Sequence, residues 1–188
     1  MNWTKGSIRV VGLVATALVL GSLGANEPPQ TIEARGLSFE APGSWKASRP
    51  RSPMRLAQLS VAPVKGDDEP AELVVFAFPG GAGTIEQNVK RWQSQFRDAD
   101  GNPPRIESER VKGKNVEVTR VETAGRYVAP ETPGSSKMLD KPNFRLLGAI
   151  VQTGTTGYFL KMIGPDKTMI EARPGFDQLI ASIKVTGE

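Results

Sequence analysis

The chain has no cysteine and no histidine among its 188 residues. Without cysteine there is no disulfide, no thiolate nucleophile and no sulfur-ligated metal. Without histidine the commonest general base near neutral pH and the commonest metal ligand are gone. Ser-His-Asp and Cys-His nucleophile systems, His-ligated zinc and proximal-His haem are therefore excluded. Carboxylates, lysine, arginine and tyrosine are the only groups left for catalysis. The reading is of a protein that is not an enzyme and carries no cofactor, with a carboxylate-based hydrolase as the one enzyme class left open. A strong charge of either sign is missing as well, because 24 basic residues face 20 acidic ones. Internal repeats and low-complexity runs are also absent.

What is present begins with an address. Lys5 and Arg9 precede an apolar run from Val10 to Leu20, and small residues follow at Gly21, Ser22, Gly24 and Ala25. That order is the pattern of a secretory signal peptide over residues 1–25. The uncharged stretch from Val10 to Asn26 is 17 residues long and holds three glycines. A membrane-spanning helix needs about 20 mainly apolar residues, so cleavage is the better reading than anchoring. Ser22 and Gly24 offer the small side chains a signal peptidase reads. No cysteine follows, which closes the lipoprotein route. The expectation is a periplasmic or extracellular protein that meets the membrane only through an uncleaved leader. Removing Lys5 and Arg9 leaves 22 basic and 20 acidic residues, a net charge of +2. Such a balance does not point to nucleic acid.

The remaining 163 residues are enough for one domain with a single core. Residues 26–35 hold Pro28 and Pro29 without an apolar period and read as a flexible lead. A single domain is expected over 36–188. Leu37 to Glu40 alternates as a strand, and Pro42-Gly43 turns the chain towards Trp45. A second strand fits Leu56, Leu59 and Val61. Glu72 to Phe78 places Val74, Phe76 and Phe78 on one face and Leu73, Val75 and Ala77 on the other, which predicts a central strand covered on both sides. A helix follows, with Thr84 and Gln87 as a capping box and Ile85, Val89, Trp92 and Phe96 as its apolar stripe. Arg105–Val111 and Asn115–Glu122 read as a hairpin that Arg126-Tyr127-Val128 extends. Residues 129–143, with three prolines, read as the longest loop. Phe144–Thr153 and Tyr158–Ile163 form a second, very apolar hairpin. Asp166 caps a last helix that Pro174-Gly175 interrupts. Hairpin-joined strands with helices against them predict an α+β fold around a central antiparallel sheet of about six strands.

Gly36, Phe39, Pro42 and Trp45, with the strand after them, resemble the opening of PsbP-like domains. Phe176-Asp177-Gln178-Leu179-Ile180-Ala181-Ser182-Ile183 resembles their closing helix. The resemblance spans residues 36 to 185, and Pro174 departs from it. It implies a central antiparallel sheet flanked by helices and a protein that acts by docking onto other proteins. It carries over no catalytic residue.

Three stretches are candidate sites. Gly80, Gly81, Gly83 and Thr84 sit between a strand and a helix start, where backbone N–H groups can hold a phosphate or carboxylate. The stretch lacks the lysine of a P-loop and does not match G-x-G-x-x-G, so a tight turn into a capped helix is the plainer reading. Lys46, Arg49, Arg51 and Arg55 form the densest basic stretch and, with Lys137 in the 129–143 loop, are the candidate contacts for a protein partner. No aromatic residue interleaves beyond Trp45, which leaves base stacking without support. Asp67-Asp68-Glu69 lacks the spacing of a calcium loop and reads as a solvated tip.

Overall fold

The computed structural model describes residues 27–186, apart from Arg51, Pro53 and Pro133. The expected signal at 1–25 lies outside the described residues. Among the described residues no helix is long and apolar enough to cross a membrane.

In chain order the elements are β1 (Gln30–Ala34), β2 (Leu37–Ala41), β3 (Lys46–Ser48), β4 (Arg55–Val61), β5 (Ala71–Pro79), α1 (Ile85–Gln93), β6 (Phe96–Arg97), β7 (Glu107–Lys112), β8 (Glu117–Pro130), β9 (Met138–Gln152), β10 (Thr156–Pro165), α2 (Asp166–Ser182) and β11 (Lys184–Val185). The main sheet runs β3-β4-β5-β10-β9-β8-β6, with β7 also paired to β8. Its pairings are antiparallel throughout. The sheet therefore has eight strands and not about six. β3 and β6, of three and two residues, are too short to leave a period in the sequence.

A second small sheet, β1-β2-β11, accounts for another difference. The segment 26–35, expected to be a flexible lead, contains β1, which pairs with β2 from Gln30↔Ala41 to Ala34↔Leu37. Its apolar residues are only Ile32 and Ala34, so backbone pairing holds it and no hydrophobic period announces it. The Gln30 side chain adds a clamp by donating to the carbonyls of Pro42 and Trp45, at 3.1 and 2.5 Å.

Strand alternation sorts the core into two clusters, one on each face of the sheet. Leu73 and Val75 of β5, Leu147, Ala149 and Val151 of β9, and Leu160 and Met162 of β10 meet α2 and the small sheet. Phe76 and Phe78 of β5, Leu146 and Ile150 of β9, and Phe159 of β10 meet α1 on the other side. β5 is thus the doubly covered central strand its sequence predicts. Trp45, Trp92 and Phe96 are all buried. Trp92 lies directly on β9, where a Cβ at Gly148 would sit 2.3 Å from Cζ3 of its ring.

α1 starts with the predicted capping box. Gln87 N–H donates to Thr84 Oγ1 at 3.2 Å, and Thr84 N–H donates to Gln87 Oε1 at 2.9 Å. The helix ends at Gln93, earlier than its apolar stripe implies. Phe96 keeps its place on the stripe but belongs to β6, paired with Tyr127. α2 is one continuous helix through Pro174, where the sequence reading has an interruption. The proline removes the donor to the carbonyl of Ile170, and Ile170 is half exposed, so water is at hand to replace it.

The 129–143 loop is largely not a loop. β8 and β9 stay paired out to Pro130↔Met138, which leaves only 131–137 as a turn. A bulge makes room for Pro142: between Gly125↔Phe144 and Tyr127↔Lys141, Pro142 and Asn143 together face Arg126. Proline is tolerated at bulges because the ladder asks for no donor there, and Asn143 takes the left-handed φ of 56°.

Candidate functional site

The Gly-rich loop closes one end of the sheet. Gly80, Gly81 and Gly83 all have positive φ, between 79° and 87°, a conformation that glycine adopts without a Cβ penalty. They line a hollow with Gln152 to Gly157. Their donors are mostly committed inside the protein. Gly80 N–H donates to the Thr155 carbonyl and Gly81 N–H to the Phe78 carbonyl, at 2.8 and 2.9 Å. Thr84 N–H is held by Gln87, as the capping box requires. An anion here has to displace bonds already made.

Two members of the basic stretch are paired with carboxylates. Lys46 pairs with Glu27, Arg55 pairs with Glu72 and Gln58, Arg49 is exposed, and Arg51 lies outside the described residues. Lys137 pairs with Glu131 across the β8–β9 turn. The acidic tip at 67–69 is not merely solvated. Asp67 Oδ2 accepts from the N–H and the hydroxyl of Thr168, in the first turn of α2, and Glu69 binds Lys141. Asp166, expected to cap α2, instead binds Arg145 at 2.8 Å.

Two features emerge that the sequence reading did not assemble. The first is an arm. β10 stops pairing with β9 at Phe144, but β8 and β9 continue together to Pro130 and Met138. Arg126–Asp140 and Lys137–Glu131 ion pairs cross the arm, and Lys141–Glu69 ties it to the β4–β5 loop. Met138 near its tip is 50% exposed.

The second is a cup on the α1 face of the sheet. Phe76, Phe78, Trp92 and Phe159 line a cavity of about 250 Å³, together with Arg91, Gln95 and Lys161. Phe78 and Trp92 both meet Phe159 edge-on, with centroids 5.5 and 6.4 Å away. Lys161 projects into this aromatic wall from β10, between Gly148 of β9 and Val74 of β5. Its ammonium donates to Gln95 Oε1 and lies 5.8 Å from the centroid of the Tyr127 ring, within cation–π range. Neither Lys161 nor Arg91 has a carboxylate partner among the described residues; Arg91 donates to Asn88 Oδ1. Burial, with the Arg91 charge adding to it, pushes the Lys161 amine down to about 7. Burial also raises the Tyr127 phenol, helped by the charge of Glu72. The signal in the sequence was the single lysine inside Tyr-Phe-Leu-Lys-Met-Ile, the most apolar strand of the domain.

A third cluster is structural. The buried carboxylate of Glu122 accepts from Arg120 and Arg145 and forms an ion pair with Arg173, and Asp166 and Asp177 complete the network between β8, β9 and α2. Every member has its partner. No group of acidic residues placed to hold a metal ion occurs among the described residues.

The fold has relatives among solved structures. The chain is similar to the solution structure of cyanobacterial PsbP (CyanoP) from Synechocystis sp. PCC 6803, with a TM-score of 0.51 and 16% identity over 88% of this chain and 98% of that one. It is also similar to LpqN, involved in cell envelope biogenesis of Mycobacterium tuberculosis, with a TM-score of 0.50 and 9% identity over 86% of this chain and 87% of that one. The fold is PsbP-like. No family model matches the chain, and no curated protein does. At such identities the likeness is one of fold, and function has to be argued from sites.

Proposed function

We propose that this chain is a non-enzymatic domain that works outside the cytoplasm by docking onto a protein partner of the cell envelope. The observation that carries the reading is the β8–β9 arm. It continues past the last β9–β10 pair, it is braced by three ion pairs, and it presents Met138 to solvent. A braced arm loses little freedom when it binds, which is how preorganisation improves affinity. A methionine at its tip adapts to an irregular surface. The absence of cysteine and histidine supports a non-enzymatic role, the leader supports export, and a neighbour in fold that takes part in envelope biogenesis supports the compartment. The Gly80–Thr84 loop is a weaker candidate for binding because its donors are already in use.

The test is site-specific photo-crosslinking of the full chain in cells. A photoreactive residue at Met138 gives a discrete adduct with one envelope protein, and the same residue at the equally exposed Ile170 on α2 does not. Equal adducts at both positions, or none at Met138, refute the arm as the docking element.

A further inference from the structure

Cations that turn into the body of this protein meet carboxylates. Arg120, Arg145 and Arg173 converge on Glu122. Lys161 breaks the rule. It enters an aromatic cup, and the Glu72 carboxylate, whose charge reaches its ring partner Tyr127, is held by Arg55 at 3.1 Å and Gln58 at 2.8 Å. An ammonium has three donors, of which Gln95 takes one and the Tyr127 ring face a second. A partly buried cation without an anion is costly. The cup thus has an anion-sized deficit, with Arg91 beside it to share the charge.

Size and polarity restrict what fills that deficit. An engineered apolar cavity of about 150 Å³ holds benzene, and sites for drug-sized molecules start at about 300 Å³. A cavity of about 250 Å³ accepts one ring or short aliphatic body with a single charged end. The walls at Phe76, Phe78, Trp92 and Phe159 are suited to that body, and Gly148, without a side chain, lets the Trp92 ring lie directly against β9 as one of those walls.

We propose that the cup is a binding site for a small apolar monocarboxylate, with its carboxylate bridging the Lys161 ammonium and the Arg91 guanidinium and its body seated on the Phe76, Phe78, Trp92 and Phe159 rings. This site lies on the α1 face and meets the arm only at its base, through Tyr127; Met138 is not among its lining residues, and the proposal does not depend on the docking reading. The groups that face Lys161 are Arg91 from α1, Gln95 from the link to β6, Tyr127 from β8 and the phenylalanines of β5 and β10. None of them is an acid. A bound carboxylate favours the protonated amine, so binding near pH 8 draws a proton from the buffer.

The probes are 3-phenylpropionate and its neutral amide, titrated calorimetrically into the full chain. The acid binds with Kd of about 1 mM or tighter, and the amide at least about tenfold more weakly. Repeating the titration at pH 8 in two buffers of different ionisation enthalpy shows uptake of up to one proton. Lys161→Met, an apolar replacement the cup tolerates, weakens the acid about tenfold or more and abolishes the uptake. Arg91→Ala, at an exposed position, weakens it without abolishing the uptake. Equal affinity for acid and amide, no heat with the acid, or unchanged binding by Lys161→Met overturns the proposal. Crosslinking at Met138 is unaffected by Lys161→Met, so failure of one reading leaves the other standing.

Discussion

Asp67 caps a helix to which it does not belong: its Oδ2 accepts from the N–H and the Oγ1 of Thr168, at 2.8 and 2.7 Å, across 101 residues of sequence. Pro165 occupies the capping position of α2 and offers no side-chain acceptor. The first turn of a helix leaves donors unsatisfied, and here a loop between β4 and β5 supplies the acceptor. Thr168 completes the link by accepting from Val64 N–H at 3.2 Å. Asp67→Ala therefore costs about 1–2 kcal/mol, the range of a lost cap. Asp67→Asn, which keeps an acceptor, costs less. Urea unfolding of the two variants measures both, and an Ala variant as stable as the parent contradicts the cap.

Gly148 is required by Trp92. A methyl group at 148 meets the indole at 2.3 Å, in the middle of a strand paired on both sides, so neither the backbone nor the ring has room to yield. Gly148→Ala destabilises by about 2–3 kcal/mol through overpacking, and it alters the near-ultraviolet dichroism of Trp92. Gly154→Ala is the control, because nothing lies within 4 Å of a Cβ there. It changes stability by about 0.5 kcal/mol at most.

Glu122 is the hub of a buried charge network. Its side chain is 8% exposed and receives three arginines. Removing one partner of a buried ion pair costs about 3–5 kcal/mol, because the remaining charges stay desolvated. Glu122→Ala falls towards the lower end, since Arg120 keeps Asp177 and Arg145 keeps Asp166. Arg110→Ala breaks a solvent-exposed pair with Glu117 and changes stability by about 1 kcal/mol at most. Chemical unfolding of both variants at one ionic strength makes the comparison.

The parts of this fold that were legible are the local ones. The two apolar faces of β5 follow from alternation alone, and Thr84 with Gln87 announce α1 within four residues. The turns at Lys112–Lys114 and Gly154–Thr155 mark both hairpins. What escaped depends on contacts distant in sequence. The Asp67–Thr168 cap joins the β4–β5 loop to the first turn of α2, which no spacing rule relates. β6 is a strand only because β8 passes beside it. Proline content made 129–143 look like a loop, yet one bulge opposite Arg126 absorbs Pro142 and lets the ladder continue. Among site residues, the basic ones at 46–55 were visible as a cluster in sequence, and of them Lys46 and Arg55 each hold a carboxylate in space. Lys161 was visible only as an anomaly in an apolar strand, and its cup needed Phe76 and Trp92 from elsewhere in the chain.

Lys161 also makes stability depend on pH in a defined direction. Unfolded, a lysine amine keeps its proton up to about pH 10. Folded, this one keeps it only up to about 7, because burial disfavours the charge. Between those limits the unfolded chain binds more protons than the native one, so the contribution of Lys161 rises with pH from about 7 towards 10. Below pH 7 both states carry the charge and the native state bears the cost of its desolvation. Lys161→Met removes that burden. The variant gains about 1–3 kcal/mol over the parent at pH 6, and the gain shrinks steadily as pH rises to 10. Denaturant unfolding of parent and variant at pH 6, 8 and 10 reads the difference. A gain that stays flat with pH places the ammonium in solvent, and a loss at pH 6 shows that the charge stabilises the native state.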